Sequence, residues 1–481
     1  MKGSIWLDLE QPEHPRLEGN VTADVCVIGG GIVGVTTALL LHEAGARVVL
    51  IDANRVGHGV TGHTTAKVSS QHGLIYSQLR SKHGADAARA YGAANEGALA
   101  WIRDRVEADG IDCDFRVRPS YVYGDASKVV KEADAAADAG LPAFAVSETP
   151  LPYEVPAAVR FDGQAEFHPH KYLLALASRL PEIYEHTHAV QVGDAVRTPG
   201  GRITAEHTIV ATHYPFPDRS LAFARVHPQR SYAIVCRIAG EPPEGMFISA
   251  DSPTRSVRAV GDLLLVGGEG HRTGTGGDTE ERYAALEAFA REHWDVRSVD
   301  YRWSSQDNVS VDGLPLIGRM TPFEPRVLMA TGFAKWGMTN GTAAALLLSD
   351  LVLGRENPYA SLFDPTRLNP RASAVKLVTE NAVAGVRFVA DRLSKPGARG
   401  IGDLARGEGD IVRHRGEKVA AYRDDDGVVT AVSPVCTHLG CQVNFNRAER
   451  SWDCPCHGSR FAVDGSVLQG PAVHRLERKP T

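Results

Sequence analysis

The stretch ADVCVIGGGIVGVTTALLLHEAGARVVLIDA, beginning at Ala23, leaves little choice of architecture. Asp24–Ile28 is an apolar run of strand length. It enters Gly29-x-Gly31-x-x-Gly34, an apolar helical segment carries on to Gly45, and a second apolar run, Arg47–Ile51, ends at Asp52. The glycines permit a tight turn, close approach of backbone to a pyrophosphate, and packing of helix on strand. The helix N-terminus offers free N–H groups and its positive dipole end to phosphates. Asp52 stands where a carboxylate accepts from a ribose hydroxyl. Strand, turn, helix, second strand and acid are in register, so the spacing predicts a parallel unit that binds a dinucleotide. The competing reading is a glycine-rich turn in an ordinary α/β unit.

The far end of the chain carries a second concentration of chemistry. Four of the seven cysteines lie between Cys436 and Cys456, with two histidines among them, in PVCTHLGCQVNF and SWDCPCHGSRF. The pattern is Cys436-x-His438, then Cys454-x-x-His457. A disulfide alone leaves both histidines unexplained. Structural zinc with two Cys and two His is the other simple reading, but zinc modules usually keep like ligands together and space them by two to four residues. One thiolate and one imidazole from each half suit two loops clasping a two-iron cluster.

The halves CTHLGC and CPCHGS resemble the Rieske [2Fe–2S] signature, with zinc as the alternative. The resemblance implies Cys436 and Cys454 on one iron, and His438 and His457 on the other, at an exposed tip facing an outside partner. It also implies a disulfide between Cys441 and Cys456, as in Rieske proteins of respiratory cytochrome bc complexes and unlike those feeding ring-hydroxylating oxygenases. Ser459 is kept, but Phe461 stands where the respiratory type has Tyr. A missing O–H donor lowers the reduction potential.

The two ends constrain each other. Such a cluster takes one electron at a time, whereas nicotinamide surrenders a hydride. A flavin takes a hydride and releases single electrons, so the dinucleotide is expected to be FAD. The middle of the chain agrees. GHGVTGHTTAKVSSQHGLIY (57–76), GQAEFHPHKYLLALA (163–177), WSSQDNVSVDGLPLIG (303–318) and ATGFAKWGMTNGTAAALLLSDLVLG (330–354) occur in this order. Together they resemble the glycine oxidase and D-amino-acid oxidase family, in particular members with a fused C-terminal Rieske domain. The resemblance spans essentially the whole chain. It implies an α/β flavoprotein: a Rossmann-type FAD domain interleaved with a mixed-sheet substrate domain, plus a small all-β C-terminal Rieske domain. By position, Gly29, Gly31, Gly34, Asp52, Thr61, Thr64, Val190, Gly332, Trp336, Gly337, Met338 and Thr339 are expected to touch FAD. The late motif also has a physical reading. Gly332, Gly337 and Gly341 let backbone approach a planar ring, and the following apolar helix points its N-terminus at the negative charge of reduced flavin.

At 481 residues the chain has room for two or three domains. Pro365 and Pro370 mark a break. The expected division is 1–370 for the interleaved flavoprotein, 371–394 for an amphipathic helical linker and 395–481 for the Rieske domain. RDDDG at 423–427 reads as a solvated hairpin turn. Net charge is −6 with both signs scattered, so no nucleic-acid surface is expected. The N-terminus shows no apolar signal core, and TAAALLLSDLVLG is too short to span a bilayer. With Cys26, Cys113 and Cys236 isolated, the expected setting is the cytoplasm.

The resemblance implies oxidation of a C–N bond in an amine or amino acid, with electrons leaving through the cluster to an external one-electron acceptor such as a ferredoxin, cytochrome or quinone. Candidates for the substrate pocket are Arg258 as a carboxylate clamp, His271 and Lys335, with His63 and His72 behind them. His63 is also a candidate for covalent attachment of FAD; His168 and His170 read as structural. Two other functions are open. A reductase without its own amine substrate needs an NADH site, and no second G-x-G-x-x-G occurs. A Rieske oxygenase needs a further mononuclear iron held by two His and a carboxylate.

Overall fold

The computed structural model describes residues 2–217, 219–275, 277–367 and 399–481. The linker expected over 371–394 lies outside the described residues.

Val25–Ile28 is buried at every position. Such a run needs cover on both faces and finds it at the centre of a parallel sheet. Strand Gly19–Ile28 pairs in parallel with Val48–Ile51 on one side and Gly201–Val210 on the other. Ile183–Tyr184 and Val327–Thr331 extend the sheet in parallel, and Leu316–Arg319 and Val196–Thr198 pair antiparallel. Helix Ile32–Glu43 lies against helix Gly337–Val352. A Cβ at Gly341 would come 2.8 Å from Ile32 Cγ2. Gly341 therefore serves helix packing, not the approach to a ring expected of it.

Between visits to this sheet the chain builds a second one. Its eight strands run in the order Val296–Ser310, Val226–Ile238, Leu263–Arg272, Arg255–Val260, Met246–Ser249, Ser120–Tyr123, Ala158–Phe161, Ala143–Val146. All neighbours are antiparallel except Met246–Ser249 with Ser120–Tyr123. The two sheets are thus interleaved in sequence, and a cavity runs between them.

The C-terminal residues form two four-stranded antiparallel sheets. The acidic run at 423–427 joins strands Glu417–Arg423 and Val429–Val432 as an exposed turn. This domain docks on the long strands of the eight-stranded sheet. Gly274 and Gly458 make the contact possible. Both have positive φ, and a Cβ would lie 2.7 Å from Pro455 N at the first and 2.4 Å from Gln306 Nε2 at the second. Gln306 Nε2 donates to Gly458 O at 2.9 Å, Asn444 Nδ2 to Gly274 O at 2.8 Å, and Thr279 Oγ1 to Asn446 Oδ1 at 2.8 Å. Asp453 sits in the seam, 3.0 Å from Arg460 and 3.8 Å from Arg230. Burial alone would raise its carboxyl, but the two guanidinium groups hold it below its ordinary range. Among the described residues, no helix is long and apolar enough to cross a membrane.

Candidate active site and cluster site

The turn after Ile28 is a cradle made of missing side chains. Gly29 has φ +111°, and a Cβ there would meet Ala211 O at 2.5 Å. A Cβ at Gly34 would lie 1.8 Å from Gly29 O. Gly34 thus seats the helix on the strand and does not itself line the cavity. Gly31 is the N-cap of helix Ile32–Glu43 and makes no side-chain cap. Thr61 covers this end, its Oγ1 accepting from Ile32 N at 3.0 Å. Asp52 accepts from Gly30 N and Asn54 N, both at 2.7 Å, and burial raises its carboxyl despite those donors.

Gly29, Gly31, Asp52, Thr61, Thr64, Trp336, Gly337 and Met338 line one continuous cavity. Val190, Gly332 and Thr339 do not. The Val190 N–H donates to Arg197 O at 2.8 Å, while its neighbours His188 and Ala189 face the cavity. Gly332 supplies a left-handed turn (φ +82°) before the flavin-loop residues, and Thr339 Oγ1 donates to Ser69 O at 2.8 Å behind them. The loop is strained: Ala334 and Lys335 both have positive φ, +50° and +77°. Consecutive non-glycine residues held there mark a functional loop. The cradle without side chains, the uncapped helix end and the acid at the second strand fit FAD.

The expected substrate residues divide. Arg258 is a correction: it lies outside the lining, 2% exposed, with Nη1 bonded to Glu166 at 2.9 Å and its guanidinium over Trp6. A buried guanidinium already neutralised by a carboxylate is not available as a clamp. His271 is another. It stacks on Tyr232 at 12°, Nε2 meets the Tyr232 hydroxyl at 3.0 Å, and Nδ1–H donates to Arg272 O at 2.8 Å. Both ring nitrogens are used, and the ring lies off the cavity. His72 sits one layer back, stacked on Trp336 at 4.8 Å and bonded to Ser69 O and the Tyr91 hydroxyl. Burial pushes it down to about 3, so it is a neutral prop for the loop. His168 caps helix Pro169–Ala177, and His170 bonds Gln11.

Lys335 and His63 do line the cavity. Lys335 is exposed to the cavity, and the protein atoms packed around it lower its ammonium while Asp307 opposes the shift. Asp307 lies in the same wall. Burial pushes its carboxyl up to about 6 against the pull of Lys335 and Arg230. His63 Nδ1 bonds Gly59 O at 2.8 Å. Sequence reasoning passed over Lys67, Arg230 and Asp307. Lys67 had a readable signal: a single charge in the otherwise uncharged stretch from Thr64 to Gln71.

At the other end, the Cys and His loops converge. Cys441 and Cys456 form a disulfide that ties them together. The sulfurs of Cys441, Cys454 and Cys456 lie within 4.8 Å of one another, but two of the three are already bonded, so that trio is no metal cage. Cys436 and Cys454 are the free pair. Hydrogen bonding from the Cys454 thiol, and from the His438 and Leu439 N–H groups and the Ser459 hydroxyl, pulls Cys436 down to about 7. His438 and His457 face each other with ring centroids 5.1 Å apart, and burial pushes them down to about 4 and about 3, leaving neutral imidazoles. His457 Nδ1 is buried and has no partner. Two paired thiols, two neutral imidazoles and an orphaned ring nitrogen fit a [2Fe–2S] cluster. Phe461 is fully buried in the same core.

The histidine edge expected at an exposed tip is divided: His438 is half-buried with exposed Thr437 and Leu439 beside it, and it is His457 that turns inward. His457 is 7% exposed and packs on Phe223, ring centroids 6.2 Å apart. Tyr214 lies 6.5 Å from both histidine rings. Both aromatics belong to the flavoprotein half, and Tyr214 also lines the cavity. Glu449, Arg460, Leu468–Gly470, Ala472 and Val473 of the C-terminal domain supply another part of the same wall.

An interleaved dinucleotide cradle and substrate sheet, closed by a β domain with paired Cys and His loops, define a flavin-dependent oxidoreductase that carries its own iron–sulfur centre. Residues 24–351 match the FAD dependent oxidoreductase (DAO) family and residues 399–480 match the Rieske [2Fe-2S] domain; the chain belongs to that oxidoreductase family and bears a C-terminal Rieske domain. It is 38% identical to the Rieske 2Fe-2S iron-sulfur protein YhfW of Bacillus subtilis (strain 168), over 97% of this chain and 95% of the other. It is 25% identical to gamma-glutamylputrescine oxidoreductase of Escherichia coli (strain K12), over 72% of this chain and 88% of that one. The fold is also that of L-proline dehydrogenase from P. horikoshii, with TM-score 0.61 at 19% identity, covering 73% of this chain and 98% of that one.

Proposed function

We propose that this FAD-dependent oxidoreductase oxidises a C–N bond of an amine or amino acid and delivers the electrons, through its Rieske cluster, to an external one-electron acceptor of the ferredoxin, cytochrome or quinone kind, in the cytoplasm. The observation that carries the reading is the shared wall: one cavity is lined by the dinucleotide cradle, the substrate sheet and the Rieske domain. Two relatives in fold or sequence are named for chemistry on amines or amino acids, gamma-glutamylputrescine and L-proline.

In this reading each region has a task. FAD, when bound, supplies hydride acceptance and one-electron release. Gly29, Gly31 and the N-terminus of helix Ile32–Glu43 hold its pyrophosphate, and Asp52 accepts from its ribose. The N-terminus of helix Gly337–Val352 offers positive potential beside Trp336 and Met338. Cys436 and Cys454 hold one iron, and His438 and His457 the other. Tyr214 and Phe223 pack on the His457 side of the histidine edge, which makes that side an entry for electrons from within the chain. Leu468, Gln469, Gly470, Ala472 and Val473 bring the Rieske domain to the cavity.

Anaerobic mixing of the purified protein with a panel of amines, N-methyl amino acids and amino acids tests the proposal. Bleaching of flavin absorbance by members of the panel, and not by NADH, is the expected result. Bleaching by NADH alone would replace it with the reductase reading.

A further inference from the structure

Two of the charged groups in the cavity wall face counter-charges. Asp307 feels Lys335 and Arg230, and Arg460 is bonded to Asp453. Lys67 differs. It lines the cavity and is 7% exposed, and its Nζ donates to Ser256 Oγ, a neutral partner. The acid beside it in the strand pairing is Glu166. That carboxylate is engaged by Arg258, and Arg116 stands opposite it on a third strand. Among the described residues Lys67 has no carboxylate of its own. Lys67, Arg258 and Glu166 together hold two cations and one anion when the Lys67 ammonium is formed, one uncompensated positive charge in a buried place. A buried charge of this kind is costly until an anion joins it. The cavity is the side open to a ligand among the described residues. An ammonium has three donors, and Ser256 takes one.

We infer that Lys67 anchors the carboxylate of the substrate, which makes the substrate an amino or imino acid and not a simple amine. The inference rests on the proposed C–N oxidation and assigns to Lys67 the part expected of Arg258. Burial, reinforced by Arg258 and opposed by Glu166, pushes the Lys67 ammonium down to about 7. Besides burial, the groups that set this value are Arg258 on strand Arg255–Val260 and Glu166 on strand Ala165–Glu166; Ser256 and Arg116 are the other polar groups facing them. An entering carboxylate stabilises the protonated form, so binding takes up a proton. Affinity is full below pH 7 and falls above it.

Isothermal titration of the FAD-loaded full chain with acetate, and with its neutral isostere acetamide, reads this directly. Acetate binds and acetamide does not. Acetate weakens as pH rises through 7, with proton uptake seen as a dependence of the heat on the buffer. Lys67→Gln weakens acetate by about tenfold or more, the loss of one charged hydrogen bond, and Lys67→Arg recovers binding. Equal binding of acetate and acetamide, or acetate affinity unchanged in Lys67→Gln, overturns the inference. Should Lys67→Gln fail to retain FAD, the pH profile and proton uptake of the unsubstituted protein decide alone, and a flat profile without uptake overturns it. The two readings fail differently. If acetate binds as stated but no amine or amino acid bleaches the flavin, C–N oxidation falls and the anchor stands. If amines bleach as well as their carboxylated counterparts, the anchor falls and C–N oxidation stands.

Discussion

The two cofactor sites are built in opposite ways. The nucleotide cradle comes from one unbroken segment, Gly19–Ile28 through helix Ile32–Glu43 to Asp52, and its shape depends on absent side chains. The cluster site comes from two loops joined by a disulfide, and depends on four side chains that must be present. Between them lies a cavity that neither segment encodes, walled by Lys67, Tyr214, Arg230, Asp307, Lys335 and the Rieske domain. The sites are locally independent and share only the wall.

That independence is open to attack, the largest effect first. Cys454→Ala removes one of the two thiols proposed to hold iron, and Cys441 and Cys456, bonded to each other, offer no substitute. Iron analysis should show loss of the cluster, with FAD content kept. Loss of both cofactors together would mean that the sites are not independent. Gly34→Ala attacks the other site. Its Cβ would stand 1.8 Å from Gly29 O, backbone that cannot give way cheaply. The expected cost is about 3 kcal/mol or more, read as a lower Tm and lost FAD, with iron retained.

The smallest effect concerns the shared wall. Burial raises the Asp307 carboxyl to about 6 in the folded chain. A raised carboxyl binds its proton in the native state where the unfolded chain has released it. Stability contributed by this group therefore falls as pH rises from the ordinary carboxylate range to about 6 and is flat beyond. Asp307→Asn removes that slope, a difference of at most about 3 kcal/mol between the two ends. Thermal melts of both proteins across that range should converge at the acid end and separate in favour of Asn above pH 6. Parallel curves would show Asp307 to be ordinary.

Much of this was legible in the sequence, for a physical reason. A backbone turn that excludes side chains must be written as glycines in consecutive positions, and the Cys and His ligands of a clasped cluster must be near each other in each loop. The buried strands were legible as continuous apolar runs. What could not be read was how distant segments meet. Arg258 was a reasonable clamp until Glu166, 92 residues away, proved to hold it. His271 sits within strand Leu263–Arg272, where pairing with the strand of Tyr232 turns its ring onto that neighbour. His457 faces inward because Gln306 and Arg272, on two strands of the substrate sheet, bind Gly458 O and Pro455 O. No local pattern records such contacts.

The central claim is that the inward-facing His457 side of the cluster receives electrons from the flavin. Anaerobic rapid mixing with a bleaching substrate tests it most directly, following flavin absorbance and the visible signal of the oxidised cluster in one experiment. Flavin should bleach first, and the cluster should then be reduced in a step independent of protein concentration, before any external acceptor is added. A cluster that stays oxidised while the flavin is fully reduced would contradict it and leave the Rieske domain as a wall of the cavity and nothing more.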